Sequence, residues 1–246
     1  MHKFTDPSQL TIGTFLGMGA PMAAEIAAVS GVDWVLVDLE HGGAGEDVVG
    51  PTVVAGMAYG IPTLVRVESS ERIRIGRALD AGAIGVMIPR IETPEQVSAV
   101  VKHMSYPPFG DRGVATYNRS AKWGRDLSGL TQKAKAACII QIETLKALEN
   151  VEAIAAIDGA DLLFVGPLDL SFALGVPRDF KSPIFVEACA KVIAAAKANN
   201  KVAGILAADA AAATAFIDLG FKFIAIGSDS TLLAGAITNL VTQLKK

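Results

Sequence analysis

Eight short apolar runs punctuate the chain, at 11–16, 34–40, 61–67, 85–90, 137–143, 161–167, 202–207 and 223–229. Continuous apolar runs of this length suit strands covered on both faces. The segments after them, at 20–30, 46–59, 71–81, 94–104, 145–157, 185–199, 209–219 and 230–244, carry helix-like patterns. Strands alternating with helices of this length predict parallel βαβ units. Eight such units in 246 residues predict one closed (β/α)8 barrel, a fold that commonly takes about 250 residues. An open doubly wound sheet shares the pattern, because periodicity does not by itself show closure. The connection 105–136 is much longer than the others and is expected to be a βα-type loop serving as lid, binding loop or oligomer contact.

Composition narrows the class. Half the residues are hydrophobic, ample for a large core, and the formal net charge is −3, where a nucleic-acid surface would show a basic stripe. No apolar run reaches the roughly 18 residues of a membrane helix, and the first residues do not form a signal peptide. A cytoplasmic location without membrane or nucleic-acid partners is expected. Cys138 lies in a strand-like run and Cys189 in an Ala-rich helical run; both are expected to be small buried hydrophobes rather than a disulfide or metal pair.

The strand ends carry the chemistry. Val35-Leu36-Val37 runs directly into Asp38-Leu39-Glu40-His41, and ionisable groups at the end of a buried strand are costly unless something pairs or uses them. Other ends supply Arg66, Arg90, Gln141 with Glu143, Asp169, and Ser228 with Asp229. In a barrel of this class the site lies at the carboxyl ends of the strands. Glu143 and Asp169 stand 26 residues apart (169 − 143). One βαβ step of that length places two carboxylates in one pocket, where they repel unless protonated or neutralised. A divalent ion held by hard oxygens, Mg, Mn or Co, would neutralise them; capping of the following helices is the alternative.

His41, between acids and a Gly-Gly pair, is positioned for general-base work, and a base needs a partner to fix its tautomer; Asp38 and Asp80 are the candidates. Arg66 can hold a carbonyl or a developing oxyanion, or simply pair with Glu40 or Glu68. Arg90 is expected to pair with Glu92. No lysine ends a strand, since Lys146 lies in a helix and Lys201 and Lys222 precede strands, so a Schiff-base mechanism lacks its nucleophile. Gly17-Met18-Gly19 is an incomplete dinucleotide fingerprint and is expected to bring a loop close to a ligand. Gly227-Ser228-Asp229-Ser230 reads as an anion site or a helix cap. No organic cofactor is expected.

Six segments in order resemble one family: Asp38-Leu39-Glu40-His41, Val65-Arg66, Leu79-Asp80-Ala81-Gly82, Tyr106 through Gly113, Gln141-Ile142-Glu143-Thr144 and Gly166-Pro167-Leu168-Asp169-Leu170. Together they resemble the HpcH/HpaI family of metal-dependent pyruvate aldolases. The resemblance implies a (β/α)8 barrel assembled as a homo-hexamer, a trimer of dimers with the last helix exchanged between neighbours. It implies Glu143 and Asp169 as metal ligands, Arg66 at the pyruvate keto oxygen, and His41 as base with Asp80 or Asp38 as its acid. It implies Gln141 beside the metal, and Gly166, Pro167, Leu168 and Asp169 around the pyruvate carboxylate. The Pro-rich segment through Arg112 is expected near the aldehyde. Expected substrates are small molecules, pyruvate or hydroxypyruvate and an aldehyde. Oxaloacetate decarboxylation needs the same chemistry. A citryl-CoA-type lyase would need a basic groove for the CoA phosphates, and a non-catalytic 2-oxo acid sensor would be expected to have lost a ligand or the base.

Overall fold

The computed structural model describes residues 2–131 and 136–245. Eight parallel strands close into a barrel in chain order: β1 (Thr11–Leu16), β2 (Trp34–Asp38), β3 (Thr63–Arg66), β4 (Gly85–Ile88), β5 (Ala137–Ile142), β6 (Leu162–Val165), β7 (Val202–Ala207) and β8 (Phe223–Ser228). β8 pairs back onto β1, which settles closure against the open sheet. The helices are α1 (Met22–Val29), α2 (Val49–Ala58), α3 (Arg72–Asp80), α4 (Pro94–Met104), α5 (Leu145–Glu149), α6 (Val151–Ala155), α7 (Pro167–Ala173), α8 (Pro183–Ala198), α9 (Ala210–Leu219) and α10 (Asp229–Leu244).

Alternation along each strand sorts the core into two layers. Outward residues such as Val37, Val65, Val86 and Ile140 pack under the helices. Inward residues fill the barrel: Phe15, Trp34, Leu36, Leu64, Met87, Ile139, Leu162, Phe164 and Phe223. Trp34 stacks on Phe223 with centroids 3.9 Å apart. That stack needs Gly13, where a Cβ would stand 2.1 Å from the indole. Phe4, in a short 3-10 turn, closes the amino-terminal end against Phe223.

Three expectations change. The helix expected at 145–157 breaks at Asn150, whose side-chain amide donates to the Glu92 carbonyl at 2.8 Å. An additional short helix, α7, follows β6, because Pro167 at its first position pre-sets φ; Asp169 therefore lies in a first helical turn rather than at a strand end. The connection 105–136 follows α4 and precedes β5. It is an αβ connection at the amino-terminal rim, not a βα-type loop; residues 132–135 lie outside the described ones. Its Pro-rich part folds back on α4, with the Asp111 amide donating to the Lys102 carbonyl at 3.0 Å and that of Arg112 to the Ser105 carbonyl at 2.9 Å. Both cysteines are free and buried, as expected.

Gly13→Ala should destabilise by about 1–3 kcal/mol through overpacking against Trp34. Gly76→Ala, inside α3 with open space around it, should stabilise by about 0.5–1 kcal/mol. Thermal unfolding of the two variants beside the parent checks the opposite signs.

Candidate active site

The inward columns end in polar groups. Trp34 and Leu36 lead to Asp38, Leu64 to Arg66, and Ile139 to Gln141 and then Glu143, by the period of two along each strand. The β2–β3 register sets Asp38 opposite Arg66, so both side chains cap the apolar stack at the carboxyl rim. Arg66 Nε donates to Asp38 Oδ1 at 2.9 Å and Nη2 to Oδ2 at 2.7 Å. Its Nη1 lies 3.0 Å from Glu40 Oε2, and its guanidinium stands 5.2 Å from the Phe15 ring centroid. Burial alone would raise the Asp38 carboxyl. The Arg66 fork and the His41 and Glu40 amides outweigh it and hold the carboxyl below the ordinary range. Of the two alternatives for Arg66, the Glu40 contact is present, whereas Glu68 pairs with Arg74.

Glu143 is buried, and three things aim its carboxylate. The Arg90 backbone amide donates to Oε1 at 2.8 Å, presented by a residue at φ 56°. Gln141 Nε2 donates to Oε2. Gly166 leaves the space, since a Cβ there would meet Glu143 Oε2 at 2.8 Å and Gln141 Nε2 at 2.9 Å. Burial raises the Glu143 pKa, Arg90 opposes, and the charges of Glu40 and Asp169 raise it further. Burial likewise raises Glu40 against the pull of Arg66 and His41, with Asp38 and Asp169 adding to the rise. Glu40, Glu143 and Asp169 thus feel one another across the mouth. Capping does not account for the two predicted ligands. Thr144 caps α5, and α7 has no side-chain cap.

These residues fit a hard divalent ion. Glu143 and Asp169 offer carboxylate oxygens, and Gln141 Oε1 is buried without a hydrogen-bond partner, whereas Glu40 Oε2 is already engaged by Arg66 Nη1. Among the described residues no cluster of three or more His, Cys, Asp or Glu could enclose an ion unaided. A two-carboxylate site would leave positions for water and a chelating substrate.

His41 is largely exposed on the loop after β2. The Asp38 carboxylate does not meet its ring; Asp38 Oδ1 instead accepts the backbone amides of Glu40 and His41 at 3.1 and 3.2 Å. The acid near the ring is Glu40, 3.9 Å from Nε2. Asp80 ends α3, a helix that runs back to the amino-terminal rim. There it pairs with Arg112, which also lies over the Tyr106 ring at 4.6 Å. Within one chain, therefore, neither expected acid orients the imidazole, and the Pro-rich segment is at the rim away from Glu143. Arg90 and Glu92 do not pair either; Glu92 lies 3.6 Å from Lys146.

A cavity of about 360 Å³ opens at this mouth, bordered by Asp38, His41, Arg66, Gln141 and Asp169 and extending toward Ser228. Ser228 is a helix cap, its Oγ accepting from the Thr231 amide at 3.3 Å, and the adjacent Asp229 carboxylate is adverse to an anion. The anion reading of that turn falls to the capping one. Sequence reasoning offered Glu40 only as a partner for Arg66 and missed it as the acid beside His41, although it shares the inward parity of Asp38, a usable signal. The Arg90 amide leaves no trace in residue type.

The chain matches the HpcH/HpaI aldolase/citrate lyase family model over residues 11–236. It is 40% identical over 251 residues to a hydroxypyruvate/pyruvate aldolase of Paraburkholderia phytofirmans, covering 99% of this chain and 95% of that protein. It is 37% identical over 239 residues to a 2-keto-3-deoxy-L-rhamnonate aldolase of Salmonella paratyphi A, covering 95% and 88%. A solved family structure from Burkholderia cenocepacia J2315 superposes with TM-score 0.93 at 35% identity, covering 99% of this chain and 98% of that one. Barrel, matched span and relatives agree: the chain belongs to the HpcH/HpaI aldolase/citrate lyase family and is an enzyme of the aldehyde-lyase class.

Proposed function

We propose that this enzyme catalyses reversible, divalent-metal-dependent aldol addition of pyruvate or hydroxypyruvate to an aldehyde. The observation that carries the reading is the convergence of Glu143, Asp169 and Glu40 with Arg66 and His41 at one mouth of the barrel. Relatives named as aldolases, one of them for hydroxypyruvate and pyruvate, support it. Glu143 and Asp169 would hold Mg, Mn or Co, with Gln141 beside it. When bound, the ion supplies the Lewis-acid pull that makes the C3 protons of a 2-oxo acid removable.

The chain's own groups do the rest. The Leu168 and Asp169 amides open α7, after Gly166 and Pro167, where a helix offers unsatisfied N–H groups to a carboxylate. The Asp38 fork fixes Nε and Nη2 of Arg66, and Nη1, which also faces Glu40 at 3.0 Å, is the donor for the keto oxygen and the enolate charge that develops there. His41 takes the C3 proton, with Glu40 close to its ring; the base then returns a proton to the alkoxide formed on the aldehyde. Cleavage reverses each step. Asp80 can serve His41 only from a neighbouring copy.

We propose that the assembly is a homo-hexamer joined partly through α10, and that the enzyme is cytoplasmic. Two free cysteines suit a reducing compartment, and among the described residues no helix is long and apolar enough to cross a membrane. None of the described α10 residues is buried, and Leu233, Ile237, Leu240 and Leu244 repeat at helical spacing on an exposed face. Light scattering should give six times the chain mass, and Ile237→Asp with Leu240→Asp should give smaller species. Six-fold mass retained in that variant would remove α10 from the interface.

Retro-aldol turnover should cease with a chelator and return with Mg, Mn or Co. Glu143→Gln should abolish turnover yet raise the melting temperature of metal-free protein at neutral pH. The sign follows from linkage: a folded carboxyl pKa above its unfolded value means that the charged form burdens the fold. The gain should be full above the raised pKa and vanish below the unfolded value of about 4.3. Melting curves across pH check it. Arg66→Lys cannot reproduce the fork; kcat should fall about 10²–10³-fold, as on loss of an oxyanion donor, and steady-state kinetics measures it.

A further inference from the structure

The loop that carries His41 is anchored from the turn after β8, two strands away around the closed barrel. Asp229, the first residue of α10, accepts the Gly17 amide on Oδ1 at 2.9 Å and the Met18 amide on Oδ2 at 3.2 Å. The Gly17 carbonyl in turn accepts the Gly43 amide at 2.8 Å. Gly42 packs so closely that a Cβ there would stand 2.0 Å from the Asp38 carbonyl and 3.3 Å from the Gly17 carbonyl. The segment 40–43 is thus clamped between two carboxylates. Asp38 holds the Glu40 and His41 amides directly, and Asp229 holds the other side through Gly17.

We infer that Asp229 is a positioning residue for His41, acting through the Gly17–Met18 turn. The inference rests on the aldolase reading above, in which His41 is the base. Asp229 is half-buried and also accepts the neighbouring Ser230 amide on Oδ1 at 2.8 Å. Helix capping does not require it, because Ser228 already caps α10 with Thr231 in reciprocal bonds. A carboxylate is suited to the task because two oxygens accept two successive amides, and charge-assisted acceptance is about twice as strong as a neutral bond. Pyruvate binding should depend little on this strap. The proposed donor-binding groups, Arg66, Glu143 and the Leu168 and Asp169 amides, stand on β3, the end of β5 and α7.

The test separates loop order from chemistry. In Asp229→Ala, amide hydrogen exchange at 40–43 should accelerate about tenfold or more, while β5 and β6 amides stay protected. In metal-loaded enzyme adding pyruvate to glycolaldehyde, kcat should fall by about one to two orders of magnitude, the cost of a misplaced catalytic group. The pyruvate KM should change less than about twofold, since uniform binding is left intact. Asp229→Asn, which keeps one acceptor for Gly17, should recover part of both effects, and carries the comparison should the alanine variant fail to fold. Unchanged exchange at 40–43 in a folded variant overturns the strap, whatever reaction the enzyme performs. Faster exchange with kcat unchanged overturns its role in positioning the base. An inert parent enzyme that still shows the exchange difference would instead count against the aldolase reading.

Discussion

The ion pair between Asp38 and Arg66 organises this protein's mouth. It is a consequence of strand register: the β2–β3 pairing places the two residues opposite one another on the inward face. Each then uses its remaining valence on something else. Asp38 turns the chain after β2 by accepting two amides, which fixes where Glu40 and His41 emerge. Arg66 has a third donor edge left, directed at Glu40. Breaking one member of such a buried pair leaves an uncompensated charge that costs about 3–5 kcal/mol, so the site and the barrel top share one constraint.

The opposite wall works against stability. Burial and the charges of Glu40 and Asp169 push Glu143 toward protonation, and Gly166 leaves the space that the Glu143 and Gln141 side chains fill. Like-charged carboxylates held together in this way gain from an ion what they lose in its absence. The paired wall is electrostatically satisfied and the carboxylate wall is not. A 2-oxo acid would lie between them, its charge development met from both sides.

Much of this was legible in residue order. The alternation of apolar runs and helical segments fixed eight βαβ units, and the inward parity of Asp38, Arg66, Gln141 and Glu143 follows from counting by two along strands. Four things were not read from it. The short helix after β6 hid behind an apolar run whose Pro167 reads equally as a strand end. The role of 105–136 was misjudged although the predicted helix at 94–104 already places it after a helix: its length drew attention to function, whereas its Arg112 and Tyr106 secure Asp80 at the far rim. The third was His41's partner: residue order offered Asp38 and Asp80, but register assigns Asp38 to Arg66 and Asp80 pairs with Arg112. The strap from Asp229 to Gly43 runs through backbone groups and joins positions more than 180 residues apart (229 − 43), so no local pattern could announce it.

The central claim is that this mouth makes C3 of a 2-oxo acid acidic. Metal-stripped protein incubated with pyruvate in deuterated water, and followed by NMR before and after addition of Mg, Mn or Co, tests that claim without any choice of aldehyde. The account predicts C3 deuteration only after metal is added, lost in Glu143→Ala and slowed in His41→Ala. Folded, metal-loaded protein that leaves C3 of both pyruvate and hydroxypyruvate unexchanged would contradict it.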